Sequence, residues 1–187
     1  MKRLYAILFV LIASLCATSA ARAQMMKENP MVGGAAMYPT KTIVDNAMNS
    51  ADHTTLVAAV KAAGLVDTLN GKGPFTVFAP TNAAFDQLPA GTVDNLLKPE
   101  NKTMLTRVLT YHVVAGKYDS KELAAQIAKG KGKAKLKTVS GGILWAMMDG
   151  DNIVLRDEKG GTSTVTTADV YQSNGVIHVV NTVLMPN

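Results

Sequence analysis

The sequence has 187 residues, a length that suits one domain, and 48% of them are apolar while 18% are charged. This balance excludes an intrinsically disordered chain, which combines low hydrophobicity with high charge. Aromatic residues make up 5% of the chain, so the stacking surfaces of a single-stranded nucleic-acid binder are scarce, and nucleic acid is not an expected partner.

Residues 1–23 have the pattern of a secretory signal peptide. Two basic residues at positions 2 and 3 precede an uncharged apolar stretch over 4–16, which is too short to span a bilayer. Ala21-Arg22-Ala23 matches an A-x-A cleavage site, so we expect the mature chain to start at Gln24. Loss of three basic residues with this segment lowers the formal charge from +5 to +2. A chain this close to neutral is not expected to bind polyanions indiscriminately.

The single cysteine, Cys16, lies in the predicted signal peptide. Leu15 precedes it where a lipoprotein signal would have a small residue, so we do not expect lipidation. A mature chain without cysteine has no disulfide, thiolate metal site or thiol nucleophile. No later apolar run reaches membrane-spanning length, so we expect an exported protein, periplasmic or extracellular, without a transmembrane segment in the mature chain.

The first half of the mature chain has mostly helical patterns. Residues 24–40 have no hydrophobic period, and we expect a flexible leader there, followed by the folded domain over 41–187. Short helices are predicted from Thr40 to about Leu97, interrupted by a strand over Phe75–Ala79.

The clearest helix is predicted over Lys102–Val114. Its apolar stripe has the spacing of a single helical face: Leu105, Val108, Leu109, His112 and Val113. A histidine on such a stripe is interpreted as a core residue that hydrogen-bonds a neighbour. A shorter helix is predicted over Ser120–Lys129.

After Lys133 short runs of strand type alternate with Gly and Asp-Gly turns. The predicted strands are Leu136–Ser140, Ile143–Met148, Asn152–Arg156, Thr162–Thr167 and Val176–Leu184. Because the helices come first and the strands later, we expect an α+β domain in which helices and strands form separate layers. The early strand over Phe75–Ala79 is expected to join the later sheet.

Three segments, in order and spacing, resemble the fasciclin (FAS1) domain family. The resemblance extends from about Lys41 to Pro186. The first segment contains Thr76, Phe78, Ala79, Pro80, Thr81, Asn82 and Phe85; the second contains Tyr111 and His112; the third contains Asn174, Gly175, Ile177 and His178.

The resemblance implies a FAS1-type fold, a β-sandwich or wedge of mostly short strands flanked by several helices. It also implies adhesion or binding, with no catalytic residue to carry over. No metal or cofactor is expected. The family often has an acid where this chain has Asn82 and Asn181. An asparagine still caps a helix, whereas the change at 181 removes an ion-pair or acceptor group with no evident replacement.

The histidines and the tyrosine of these motifs are either structural residues of the core or residues that contact a partner. The Tyr111-His112 pair corresponds to a motif associated with integrin binding in animal relatives, but the helical stripe favours a structural role for His112. His178 lies in a run that is apolar on both faces, which indicates a buried strand. His53 precedes a helix and is expected to cap it or to face solvent. The three are too scattered to predict a metal site.

Five lysines alternate with small or apolar residues: Lys129, Lys131, Lys133, Lys135 and Lys137. If extended, all five would lie on one face of a strand. They are interpreted either as the solvated face of an edge strand or as a contact surface for an anionic polymer.

The sequence therefore predicts a non-enzymatic, exported, monomeric fasciclin domain that acts in adhesion or binds an envelope or extracellular ligand. An unidentified surface protein or polysaccharide is the expected partner. The alternatives are a periplasmic small-molecule or peptide-binding domain with a closed apolar pocket, and a hydrolase with convergent titratable groups in a cleft.

Overall fold

The computed structural model describes residues 29–187, and the predicted signal peptide lies outside them. The helices of this part are α1 (Ile43–Ala47), α2 (Thr54–Ala63), α3 (Val66–Asn70), α4 (Asn82–Asp86), α5 (Thr92–Leu96), α6 (Lys102–Tyr111) and α7 (Ser120–Lys129). Its strands are β1 (Met31–Val32), β2 (Ala35–Ala36), β3 (Phe75–Pro80), β4 (Val113–Ala115), β5 (Lys133–Lys137), β6 (Ile143–Asp149), β7 (Asn152–Arg156), β8 (Thr162–Gln172) and β9 (Gly175–Val180). Helices dominate before β4 and strands after α7, which confirms the predicted mixed α and β architecture.

The main sheet has seven strands in the order β4-β3-β9-β8-β7-β6-β5. The early strand β3 pairs parallel to β9, with Phe78 opposite His178, so the sequence correctly predicted that it joins the late sheet. The other neighbours in this sheet are antiparallel. The two outer strands, β4 and β5, approach each other: Val114 of β4 forms a β-bridge with Thr138, which directly follows β5. The sheet is therefore strongly curled.

Two apolar clusters stabilise the fold. One packs the helices α1 to α6 against one face of β3 and β9 and includes Val60, Leu105 and Val179. The other fills the inside of the curled sheet beneath α7 and includes Phe78, Leu123 and Leu155, each with no accessible surface. Full burial of one such side chain contributes about 1.5–3 kcal/mol.

The expected flexible leader over 24–40 is wrong for its second half. Residues 31–36 form the paired strands β1 and β2, and Val32 and Met37 are buried in the first cluster. The pattern was missed because each strand has two residues, too few for a visible period, and because Gly33 and Gly34 supply the left-handed turn between them. Residues 24–28 lie outside the described part of the chain.

The predicted helix over 102–114 ends earlier than expected. The helix α6 stops at Tyr111, His112 is its C-cap, and Val113 already belongs to β4. β4 pairs with β3, with Val113 opposite Val77, so sheet pairing replaces the last predicted helical turn. The predicted bounds of α7 and β7 are confirmed. Within residues 29–187 no helix has the length and apolar character needed to cross a membrane.

Candidate functional site

The side chain of His112 is buried at the end of α6. Its Nδ1 donates to the carbonyl oxygen of Val108 at 2.8 Å, and its Nε2 accepts from the N–H of Leu184 at 3.0 Å. Burial lowers the pKa of His112 to about 4, opposed in part by the Val108 carbonyl and by Asp157. His112 is therefore a neutral core residue, as its place on the helical stripe indicated.

Tyr111 is also fully buried, although it lies one step round the helix from the stripe. Its hydroxyl donates to the carbonyl oxygen of Ile143 at 2.7 Å and accepts from the N–H of Glu158 at 3.1 Å. Burial raises the pKa of Tyr111 to about 12. The hydroxyl links α6 to the strand β6 and to the turn after β7, and neither side chain of the Tyr-His pair reaches the surface.

The third motif contains His178, which stands in β9 with no accessible surface. Its ring stacks on Phe78 with 5.6 Å between ring centroids, and its Nε2 donates to the carbonyl oxygen of Tyr118 at 2.8 Å. Burial lowers the pKa of His178, against the opposing effect of that carbonyl. The nearby Thr76 hydroxyl donates to Gly116 and accepts from the N–H of Tyr118. His178 and Thr76, from two different motifs, together hold the segment before α7 on the sheet.

Asn174 and Gly175 form the corner between β8 and β9. The Asn174 side chain accepts from the N–H of Ile43 at 3.0 Å and donates to the carbonyl oxygen of Leu69 at 2.7 Å. An added Cβ at Gly175 would lie 2.1 Å from the carbonyl oxygen of Phe75, so the strands β3 and β9 approach too closely for any side chain there. Both residues join the helical layer to the sheet.

The first motif combines an apolar strand with two capping residues. Thr81 caps α4 by accepting from the N–H of Ala84. Asn82 instead reaches the neighbouring helix α2, where its Oδ1 accepts from the N–H of Thr55 at 3.0 Å and its Nδ2 donates to the carbonyl oxygen of Ala51 at 2.9 Å. An aspartate would keep the first bond and lose the second. The remaining motif residues are buried: Phe78, Ala79, Pro80, Phe85 and Ile177.

Asn181 keeps the acceptor that the sequence interpretation considered lost. Its Oδ1 accepts from the N–H of Thr164 at 2.8 Å and from the hydroxyl of Ser163 at 3.4 Å. The amide oxygen therefore takes the place of a carboxylate oxygen at the end of β9. The expectation of a missing acceptor is wrong because an amide carries one oxygen of the same geometry.

The expectation that His53 caps a helix or faces solvent is wrong for its side chain: His53 stands at the N-cap position of α2, but its side chain makes no capping hydrogen bond. The side chain is buried; its Nδ1 lies 2.8 Å from the hydroxyl of Ser50, and within the described residues its Nε2 has no hydrogen-bond partner. Burial lowers the pKa of His53, and the Ala79 carbonyl acts in the opposite direction. Asn82 provides the cap of α2 from another helix, which a local pattern cannot reveal.

The five lysines do not share one strand. Lys129 belongs to the last turn of α7, and Lys131 lies in the following turn with a positive φ of 58°. The prediction is wrong for these two because the helix continues through Lys129, so a period of two does not apply. Lys133, Lys135 and Lys137 alternate with buried residues in β5, which is an edge strand of the sheet. All five are exposed.

The single tryptophan of the chain, Trp145, stands beside these lysines. It is directly opposite Lys135 in the β5–β6 register and opposite Arg156 in β7, so the three share the outer face of the sheet. The ammonium groups of Lys133 and Lys135 lie 5.2 Å and 5.9 Å from its ring centroid. The sequence gives no signal for Trp145, because every residue of Ile143–Met148 is apolar and no alternation marks the outward face of this strand.

No cluster of three or more His, Cys, Asp or Glu side chains with the spacing of a metal site occurs within residues 29–187. The three histidines direct their ring nitrogens into the fold rather than towards one another.

Comparison with known proteins gives the family. The Fasciclin domain family model matches residues 51–186, most of the described chain. This chain belongs to the fasciclin domain family. The fasciclin domain is 46% identical over 167 residues to Protein sll1483 of Synechocystis, covering 89% of this chain and 85% of that protein. It is 35% identical over 173 residues to Cell surface glycolipoprotein MPB83 of Mycobacterium bovis, covering 88% of this chain and 70% of that protein.

A solved structure shows the same fold. The fasciclin domain matches a FAS1 domain pair from the insect cell adhesion molecule Fasciclin I with a TM-score of 0.68. The identity is 19%, and the match covers 78% of this chain and 51% of that chain. The FAS1-type fold predicted from the three motifs is confirmed.

Proposed function

We propose that this chain is an exported, non-enzymatic fasciclin domain that binds a ligand in the periplasm or outside the cell and thereby acts in adhesion. The names of two similar proteins, a cell surface glycolipoprotein and a cell adhesion molecule, support a role at the cell exterior. We expect the domain to act as a monomer.

One observation carries this proposal. The polar side chains of the family motifs make hydrogen bonds inside the fold, whereas a cationic and aromatic face lies on the outside of β5 to β7. His112 and His178 illustrate the first part, and Lys135 with Trp145 illustrates the second. Such a distribution suits recognition by a surface rather than chemistry in a cleft.

The alternative of a small-molecule carrier has less support. A partly enclosed apolar cavity lies between the helical layer and the sheet, lined by Leu56, Leu69, Val77 and His112 among others. Its volume is about 40 Å³. Drug-sized ligands occupy about 300–1,000 Å³, so this cavity is much too small to hold one.

Export depends on residues 1–23. We expect mass spectrometry of the protein recovered outside the cytoplasm to give an N-terminus at Gln24. A mature protein that retains a lipid-bearing Cys16 would contradict cleavage at this site, and a full-length chain found only in the cytoplasm would contradict export.

Co-sedimentation tests the binding role. The purified 24–187 chain should sediment with envelope fragments of the producing cell, whereas an unrelated exported protein of similar size and charge should not. Beads coated with the domain should also retain whole producing cells. If neither fragments nor cells bind at low ionic strength, the adhesion and binding function is wrong.

A further inference from the structure

Trp145 forms a ridge on the outer face of the sheet. It is half-buried, and its indole lines depressions on both sides. The larger depression, about 610 Å³, lies between the end of α7 and β5. Its walls include Glu122, Gln126, Lys129, Lys133, Lys135 and Trp145. We refer to this depression as the lysine groove.

Charge in the lysine groove is strongly biased. Three lysines face one carboxylate, Glu122, whose Oε1 already accepts from the Gln126 amide at 3.0 Å. The sequence from Ala124 to Met147 contains no acidic residue, so nothing within the segment offsets these charges. Lys131 and Lys137 are exposed nearby and add to the positive potential. An anion in this groove gains Coulomb energy and relieves repulsion among the ammonium groups.

The depression on the other side of Trp145 has a different balance. Its volume is about 380 Å³, and its cations Lys133 and Arg156 face Asp157 and Glu158. These acids are held by backbone N–H groups, among them those of Gly161 and Ile143. It therefore attracts anions less than the lysine groove does.

An aromatic ring next to separated cations favours a particular kind of anion. The face of an aromatic ring carries partial negative charge, so the C–H face of a sugar ring packs well on an indole. Ammonium groups close to that ring can bind carboxylates carried by the same sugar. The groove is open to solvent between α7 and Lys133–Lys135 of β5, so a long polymer can lie across it.

We infer that the lysine groove binds an acidic polysaccharide, with a sugar ring packed against Trp145 and its carboxylates bound by Lys129, Lys133 and Lys135. This inference rests on the proposed function and identifies the ligand class and its site. A single aromatic residue gives too little stacking for a single-stranded nucleic acid. The edge of β5 is five residues long and meets β4 at Thr138, which leaves little room for a peptide strand.

Trp145 is the only tryptophan, so its fluorescence reports on this site alone. We expect titration of the 24–187 chain with alginate oligosaccharide to change the intensity or wavelength of this emission and to saturate. A neutral glucan of the same length should bind much more weakly. Affinity should fall steeply from about 10 mM to about 150 mM salt, where the Debye length shrinks from about 30 Å to about 8 Å.

Matched variants distinguish binding in the lysine groove from a general effect of the protein's positive charge. Lys133→Gln with Lys135→Gln should weaken alginate binding about tenfold or more and reduce its salt dependence. Lys72→Gln with Lys98→Gln removes the same charge from exposed positions elsewhere and should change affinity about twofold or less. Trp145→Leu, measured by calorimetry, should weaken binding and leave the salt dependence unchanged. Thermal melts verify that each variant is folded.

Several outcomes would overturn the inference. These are alginate binding without a change in Trp145 emission, equal effects of the two lysine pairs, or tighter binding of poly-glutamate or anionic phospholipid vesicles than of alginate. Sedimentation with envelope fragments distinguishes failure of the lysine-groove inference from failure of the proposed function. If the Lys133/Lys135 variant sediments like the parent, the groove is not the site and the binding function stands. If the parent does not sediment, the proposed function itself fails.

Discussion

The backbone N–H of Leu184 donates a hydrogen bond to Nε2 of His112, although 72 residues separate them in the chain. The other ring nitrogen, Nδ1, donates to Val108 one helical turn earlier. Because one nitrogen must accept while the other donates, the two partners select a neutral imidazole with its proton on Nδ1. His112 therefore fastens the C-terminal segment to α6 without a buried charge.

His112→Ala should lower the free energy of unfolding by about 1–3 kcal/mol. The substitution leaves the Leu184 N–H and the Val108 carbonyl without their partner and removes packing beside Val77. Urea denaturation followed by circular dichroism measures the change. Arg107→Ala, on the exposed side of α6, is the control and should have little effect. A His112→Ala protein that unfolds like the parent but no longer binds envelope fragments would make His112 a contact residue.

Stability should decrease in mild acid because of the buried histidines. His112 has a pKa of about 4 in the folded state against about 6.5 when unfolded. The unfolded chain therefore takes up a proton first as the pH falls through 6.5, and the folded chain does so only near 4. The contribution of neutral His112 is complete above pH 6.5 and decreases towards pH 4, by about 2–3 kcal/mol between pH 7 and pH 4.5.

Unfolding free energies at several pH values between 7 and 4.5 test this dependence. His112→Gln cannot titrate, so it should be less stable than the parent at pH 7 and lose less stability on acidification. The His112→Gln variant should still lose some stability on acidification, because burial also lowers the pKa values of His53 and His178. Equal losses in parent and variant would show that His112 does not drive the acid sensitivity.

The sequence predicted the features that depend on local patterns and on the family motifs. The stripe on α6 placed His112 in the core, and the Asp-Gly turn between β6 and β7 was found from its residues alone. Contacts between distant segments were not visible. Asn82 caps a helix other than its own, and Trp145 meets Lys135 only because two strands pair in one register. Both contacts depend on tertiary structure, and the hydrophobic periodicity of one sequence reports only on local secondary structure.

Asn82 offers a test of capping between helices. Asn82→Ala removes the acceptor for the Thr55 N–H and the donor to the Ala51 carbonyl, and should lower the free energy of unfolding by about 1–2 kcal/mol. Asn82→Asp keeps the acceptor and places a negative charge at the start of α2, which the helix dipole favours, so its loss should be smaller. Thermal or urea unfolding ranks the three proteins. Equal losses for the two variants would mean that the bond to Ala51 dominates.

The Tyr111 hydroxyl should be a structural group rather than a binding group. It donates to the Ile143 carbonyl and accepts from the Glu158 N–H inside the fold, so Tyr111→Phe leaves both without their partner. We expect a loss of about 1–3 kcal/mol in the free energy of unfolding and unchanged affinity for envelope fragments at temperatures where the variant stays folded. Tyr118→Phe is the matched control, because within the described residues its hydroxyl makes no hydrogen bond, and it should unfold like the parent. The opposite result would be a Tyr111→Phe protein that unfolds like the Tyr118→Phe control but has a lower affinity for envelope fragments. Tyr111 would then contact the ligand after local opening of the fold, and the structural role assigned to the Tyr-His pair would be wrong.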